Sequence, residues 1–149
     1  MPSSAIHEAT RRDWRELGYY YDRDDSAKTW RLLGTPEGLL GFVASLRAYA
    51  GNESNNRISE HEHFGPYWYL EVGTWHAPVI SDHWIAGPLS ALSELASHIE
   101  AQLAVVQAPD VVRVRHAFAP TSPYEFQLEL QPAGFDPALA DPACNPGEA

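Results

Sequence analysis

Histidine and glutamate side chains concentrate in one stretch, residues 59–75, which reads SEHEHFGPYWYLEVGTW. His61 and His63 are two positions apart, so both imidazoles point to the same side if the backbone is a strand. Imidazole is a good ligand for zinc or iron. Further candidate ligands follow at His76, Asp82 and His83. The helical H-E-x-x-H signature of zinc enzymes is absent, so a metal site at His61 and His63 is one interpretation and solvent-exposed histidine is the other.

Three carboxylates of the same stretch could perform acid–base chemistry with a histidine. Glu60, Glu62 and Glu71 are close in sequence, and neighbouring carboxylates can divide the acid and base roles between them. Glutamates on the solvent side of a strand are the ordinary alternative. The sequence has no Gly-x-Ser-x-Gly elbow and no phosphate-binding glycine loop. A metal-dependent or acid–base enzyme is therefore the alternative function, and no cofactor is predicted.

The stretch also has the composition of a protein-binding surface, in which aromatic anchors are surrounded by charges. The predicted partner-binding residues are Glu60, Glu62, Tyr67, Tyr69, Glu71 and Trp75. Acids at such a surface would pair with Lys or Arg of a basic partner. The competing interpretation is that these aromatics belong to the core, because tyrosine and tryptophan are more often packing residues than anchors.

Period-two alternation predicts a strand over residues 67–75, and Gly65-Pro66 separates it from a shorter extended run. One face of that strand is predicted to carry Trp68, Leu70, Val72 and Thr74, and the other Tyr67, Tyr69, Glu71, Gly73 and Trp75. We expect a central hairpin with its first face on the core and its second face presenting polar and aromatic groups.

Two amphipathic helices are predicted. The first begins at Thr35, Pro36 and Glu37, which supply an N-cap, a first-turn proline and a first-turn acid. Its apolar stripe is Leu39, Phe42, Val43, Leu46, Tyr49 and Ala50, and that of the second helix is Leu89, Leu92, Leu95, Ala96, Ile99 and Leu103. Spacings of three and four place each stripe on one helical face.

The remaining runs predict strands. Hairpins are expected over residues 17–34 and 111–131, a short edge strand over 83–86, and a loose or weakly helical segment over 1–13. Trp30 and Trp84 are predicted to lie in the core. The order is ββαββ(β)αββ, which favours an α+β fold with a mostly antiparallel sheet and both helices packed on one face.

The chain length favours one domain. Its 149 residues can bury an independent core, and we assign the domain to residues 1–131. Residues 132–149 are rich in Pro, Ala, Asp and Gly, so this tail is predicted to be irregular, with Phe135 and Leu139 as its anchors and its end disordered.

The charge of the chain restricts its partners. The formal net charge is −10, from 20 acids and 10 bases, which argues against nucleic acid and against an anionic membrane surface. It suits a basic protein partner, or it simply keeps the protein in solution. The single cysteine, Cys144, excludes an intramolecular disulfide, and the N-terminus has no apolar run, so a cytoplasmic location is expected.

Two segments give the chain a family likeness. YYYDRDDSAKTWRLLGTPEGLLGF (Tyr19 to Phe42) and SEHEHFGPYWYLEV (Ser59 to Val72), followed by a Leu-rich helix, resemble small bacterial immunity proteins of polymorphic toxin systems. The resemblance covers roughly residues 17–130. It implies a non-enzymatic α+β protein that neutralises a cognate toxin by tight binding. A homo-oligomer that buries the same surface against its own copy is a third hypothesis, and the oligomeric state is open.

Overall fold

The N-terminal segment folds as helix α1 (Ser4–Leu17) in the computed structural model, which describes residues 4–145. Trp14, on the inner side of this helix, is fully buried. Of the two alternatives expected for residues 1–13, the helical one is confirmed for residues 4–13 and the loose one is wrong there, because one large aromatic side chain anchors the helix to the core. Residues 1–3 lie outside the described part of the chain.

Strands form two four-stranded sheets. The first contains β1 (Tyr20–Asp24), β2 (Thr29–Gly34), β7 (Val111–Arg113) and β8 (Glu125–Leu130), in the order β1-β2-β8-β7. The second contains β3 (His61–Phe64), β4 (Leu70–Thr74), β5 (Val79–Ile80) and β6 (Trp84–Gly87), in the order β3-β4-β6-β5. The α+β class is confirmed, but the expected single sheet is two.

Both sheets repeat one pattern of pairing. The outer pairs are antiparallel, whereas the central pair is parallel: β2 with β8 in the first sheet, and β4 with β6 in the second. Residues 83–86 were expected at an edge, but β6 is an interior strand and β5 is the edge. The second half of the predicted 111–118 strand is instead the short helix α4 (Arg115–Phe118).

Helices α2 (Pro36–Ala50) and α3 (Leu89–Leu103) form where the apolar stripes predict them. The Thr35 side chain caps α2 by accepting a hydrogen bond from the Gly38 N–H at 3.1 Å, as its sequence position indicates. The two helices pack against each other; α2 also contacts β2 and β8, and α3 contacts β6 and β7. The core is therefore shared between the two sheets. Among residues 4–145, no helix has the length and apolar character needed to cross a membrane.

The tail folds back onto α1. Two short 3-10 helices, Pro137–Ala140 and Pro142–Cys144, pack against α1. Asp141 and Cys144 are buried, whereas the predicted anchor Leu139 is exposed. Residues 132–145 are thus ordered and attached to the domain, while residues 146–149, whose end was expected to be disordered, are outside the described residues.

Candidate functional site

The β3–β4 ladder brings His61, His63 and Glu71 together. His63 is directly opposite Glu71 and His61 is opposite Gly73, and residues opposite each other on antiparallel strands share a face. The Glu71 Oε1 atom lies 3.2 Å from His63 Nε2 and 3.6 Å from His61 Nε2. Among the described residues this is the one group of three metal-ligating side chains whose ligand atoms all lie within 4.8 Å of one another. We refer to these three residues as the histidine–glutamate cluster.

Backbone carbonyls fix the orientation of both imidazoles. His61 Nδ1 lies 2.9 Å from the Ser59 carbonyl oxygen, and His63 Nδ1 lies 3.0 Å from that of Trp68. A carbonyl oxygen only accepts, so each Nδ1 carries the hydrogen and donates it. In the neutral imidazole the lone pair is then on Nε2, the atom that faces Glu71.

Trp68 departs from its predicted position. It was expected on the core face with Leu70, but strand β4 begins only at Leu70 and Trp68 has a left-handed backbone, with φ at +61°. Such a conformation is unfavourable for a bulky residue. It turns the indole out to solvent, where it stacks on His63 with ring centroids 5.6 Å apart.

Two more tryptophans extend this face of the sheet. Trp84, expected in the core, is only partly buried and covers Gly73, where an added Cβ would collide with the indole ring. Trp75 meets Trp84 edge to face, with centroids 5.6 Å apart. The histidine–glutamate cluster is therefore flanked by aromatic rings on the outer surface of the second sheet.

Tyr67 and Tyr69 belong to a neighbouring cleft rather than to strand β4. Their rings lie 5.5 Å apart, and both line a cavity of about 430 Å³ between the β1–β2 hairpin and the tail. The other lining residues are Tyr20, Tyr21, Asp22, Arg23, Trp30, Asp141, Pro142 and Ala143. Burial raises the pKa of Tyr20 and of Tyr21 to about 12, so both phenols are neutral at physiological pH.

Asp141 fastens one wall of this cleft. Its buried carboxylate accepts hydrogen bonds from Trp14 Nε1 at 2.8 Å and from the Tyr67 hydroxyl. Burial, and then the bond to this carboxylate, raise the pKa of Tyr67. Asp141 is not among the functional residues predicted from the sequence, although the Asp-Pro pair at 141–142 is a signal for the 3-10 helix that Asp141 caps.

The predicted partner-binding set is divided over different surfaces. Glu71 and Trp75 are on the face of the histidine–glutamate cluster, and the two tyrosines are at the cleft. Glu62 is opposite the buried Val72 and so points to the other side of the edge strand β3. Glu60 precedes β3, and its backbone carbonyl accepts a hydrogen bond from Tyr49 at 2.7 Å.

The further ligands proposed from the sequence lie elsewhere. Asp82 and His83 pair with each other at 3.4 Å, next to β6, and the His76 ring packs on Trp75. Neither pair joins the histidine–glutamate cluster. The third potential ligand is instead Glu71, which the sequence analysis placed among the partner-binding residues.

Two chemical capacities result from this geometry. The histidine–glutamate cluster has the ligand atoms of a cation site, and two exposed rings, Trp68 beside it and Tyr69 at the cleft, offer apolar area to a macromolecule. Trp68 and Tyr69 are adjacent and are 68% and 65% exposed, the highest values among the Trp, Tyr and Phe side chains of residues 4–145. Such exposure is unusual for rings of this size and marks an interaction site when the rings are contiguous.

Comparison of the chain with protein-family models, with curated proteins and with solved structures found no match.

Proposed function

We propose that this chain is a non-enzymatic binding protein that neutralises a cognate bacterial toxin by direct contact. The observation that carries the proposal is the pair of neighbouring, solvent-facing rings of Trp68 and Tyr69. We call this pair, Trp68 and Tyr69, the aromatic surface; Trp75 lies apart from Tyr69, packed against Trp84. Tryptophan and tyrosine dominate the energetics of protein interfaces because they bury much area with few rotatable bonds.

The backbone at Trp68 supports a binding role. A left-handed tryptophan costs roughly 1–2 kcal/mol relative to a relaxed backbone, yet the chain uses this conformation to place a large apolar ring in water. Residues held in sparsely populated backbone conformations cluster at functional sites. A ring that is buried only in a complex would explain why the free protein keeps this conformation.

The charge of the chain supports a basic partner. The net charge of the chain is −10. Electrostatic potentials of opposite sign on two proteins accelerate their association, and a negatively charged surface repels acidic competitors. A basic toxin domain of the nuclease type has the complementary charge, and the family resemblance of the two quoted segments implies that the partner is a toxin.

Co-expression tests the proposal. The probe is the C-terminal domain of the protein encoded by the neighbouring open reading frame, which we expect to be toxic, expressed alone and together with this chain. We expect growth arrest by the toxin, rescue by this chain, and a stable complex of the two purified proteins in size-exclusion chromatography with light scattering. Growth that stays arrested with both proteins soluble would contradict the proposal.

Variants locate the surface. Replacing both rings, by Trp68→Ala with Tyr69→Ala, should weaken the complex at least about 100-fold, because interface anchors each contribute 2 kcal/mol or more. Val105→Ala is the matched control, since Val105 is an apolar side chain that is 79% exposed outside the hairpin. Equal rescue by the double variant and the control would place the toxin contact elsewhere.

A further inference from the structure

We infer that His61, His63 and Glu71 bind a divalent transition-metal ion of the zinc type. This inference goes beyond toxin neutralisation and does not depend on it, because it concerns ion binding by the isolated chain. It also replaces the metal site considered from the sequence, which had two histidines and no defined third ligand.

The separations between the three side chains suit one ion. Zinc binds nitrogen and oxygen at about 2.0–2.1 Å, so two ligand atoms of a tetrahedral site lie about 3.4 Å apart. Glu71 Oε1 lies 3.2 Å from His63 Nε2 and 3.6 Å from His61 Nε2. The widest separation in the cluster is within 4.8 Å, and small rotations of the two exposed imidazoles can close it.

The hydrogen bonds of the imidazoles prepare Nε2 for a metal. Both Nδ1 atoms donate to backbone carbonyls, at 2.9 and 3.0 Å, which is the usual outer contact of a metal-bound histidine. Two Nε2 lone pairs then converge on one carboxylate oxygen, an arrangement that needs a positive charge among the three atoms. A single divalent ion between the three atoms would accept both lone pairs and pair with the carboxylate.

The unusual backbone of Trp68 contributes to this arrangement. The carbonyl that accepts the hydrogen bond from His63 belongs to this left-handed residue, and its indole covers one side of the His63 ring. The strained residue thus fixes both the tautomer and the plane of a ligand. On the other strand, the β3–β4 register fixes Glu71 opposite His63, so regular pairing positions the third ligand.

The ligand set defines the class of ion. Imidazole suits zinc, copper, iron and nickel, whereas magnesium and calcium prefer oxygen ligands. Two histidines and one carboxylate are a set found in zinc sites that keep an open position, since four ligands are needed to close a tetrahedron. The cluster is on the outer surface, and both imidazoles are exposed, so a fourth ligand can arrive from solvent or from a bound partner.

Calorimetric titration of the full chain tests the inference. The protein is prepared without a histidine tag, stripped with a chelator, and titrated with Zn²⁺ and separately with Mg²⁺. We expect one Zn²⁺ per chain and no saturable heat with Mg²⁺. His63→Ala and Glu71→Gln should each weaken Zn²⁺ binding by at least about tenfold. Visible d–d absorption of Co²⁺, present in the wild type and reduced in both variants, is the second readout.

His83→Ala is the matched control. His83 is also an exposed histidine paired with an acid, at 3.4 Å from Asp82, but residues 4–145 place no third ligand beside it. Its variant should bind Zn²⁺ as the wild type does. The inference is overturned if the folded double variant His61→Ala with His63→Ala binds Zn²⁺ as tightly as the wild type, or if His83→Ala weakens binding as much as His63→Ala. Circular dichroism confirms that each variant is folded.

Discussion

Asp141 should stabilise the domain far more than its position in a proline-rich tail suggests. Asp141→Ala removes the acceptor of the Trp14 indole N–H and of the Tyr67 hydroxyl. It also removes the cap on the Ala143 N–H, at 2.9 Å. Because Asp141 and Trp14 are buried, water can replace the bond to the Trp14 indole only if the packing between α1 and the tail opens.

The magnitude follows from the lost contacts. Hydrogen bonds to a charged group contribute about 1.5–3 kcal/mol each, and a lost cap costs about 1 kcal/mol. Since interactions at one carboxylate are not additive, we expect Asp141→Ala to lower the free energy of unfolding by about 4 kcal/mol. At this chain length that corresponds to a fall in Tm of roughly 8–16 °C. Asp141→Asn keeps one carbonyl acceptor and should cost about half as much.

Urea unfolding followed by tryptophan fluorescence measures these changes. Asp82→Ala is the control; Asp82 is an exposed acid, and its variant should stay within about 0.5 kcal/mol of the wild type. A double-mutant cycle that combines Asp141→Ala with Tyr67→Phe should give a coupling free energy of about 1–3 kcal/mol between the two side chains. A loss below about 1 kcal/mol for Asp141→Ala would mean that the tail is not fastened through this carboxylate.

Three further predictions concern the hairpin and the tyrosine cluster. Trp68→Gly should raise the free energy of unfolding by about 1 kcal/mol relative to Trp68→Ala, because only glycine relieves the left-handed backbone; a more stable alanine variant in urea would refute this. Gly73→Ala should cost about 1–3 kcal/mol and alter the near-ultraviolet circular dichroism, since the new methyl group meets the Trp84 ring; unchanged spectra would contradict it. Burial raises the pKa of Tyr20 and of Tyr21 to about 12, whereas an unfolded tyrosine ionises near about 10. The unfolded state therefore releases these protons first, and the urea midpoint should fall as pH rises from about 10 to about 12; a flat midpoint over that range would show that the phenols are not buried.

Features with local causes could be predicted from the sequence. Thr35 and Pro36 start α2 as expected because a helix cap involves neighbours within one turn. Leu70 and Val72 are buried as expected, because residues two positions apart in a strand share a face and this face lies on the core. The sequence also predicts that His61 and His63 point the same way, which the β3 strand confirms.

Features that depend on distant pairing could not be predicted in this way. The parallel pairing of β2 with β8 and of β4 with β6 decides which strands belong to which sheet. A local pattern of apolar residues does not indicate which strand pairs with which. Glu71 joins the histidines only through the β3–β4 register. The left-handed conformation of Trp68 interrupts the alternation two residues before β4, and no pattern of apolar residues signals it.

The parallel contact between β2 and β8 also affects how the protein is made on the ribosome. Thr29 pairs in register with Glu125, near the C-terminal end of the chain. Until residues 125–130 have left the exit tunnel, the inner edge of β2 has unsatisfied backbone donors and acceptors, and such an edge can recruit other chains. Polypeptides that stop before Glu125 should consequently aggregate, and the nascent N-terminal hairpin is the segment that a chaperone would have to shield.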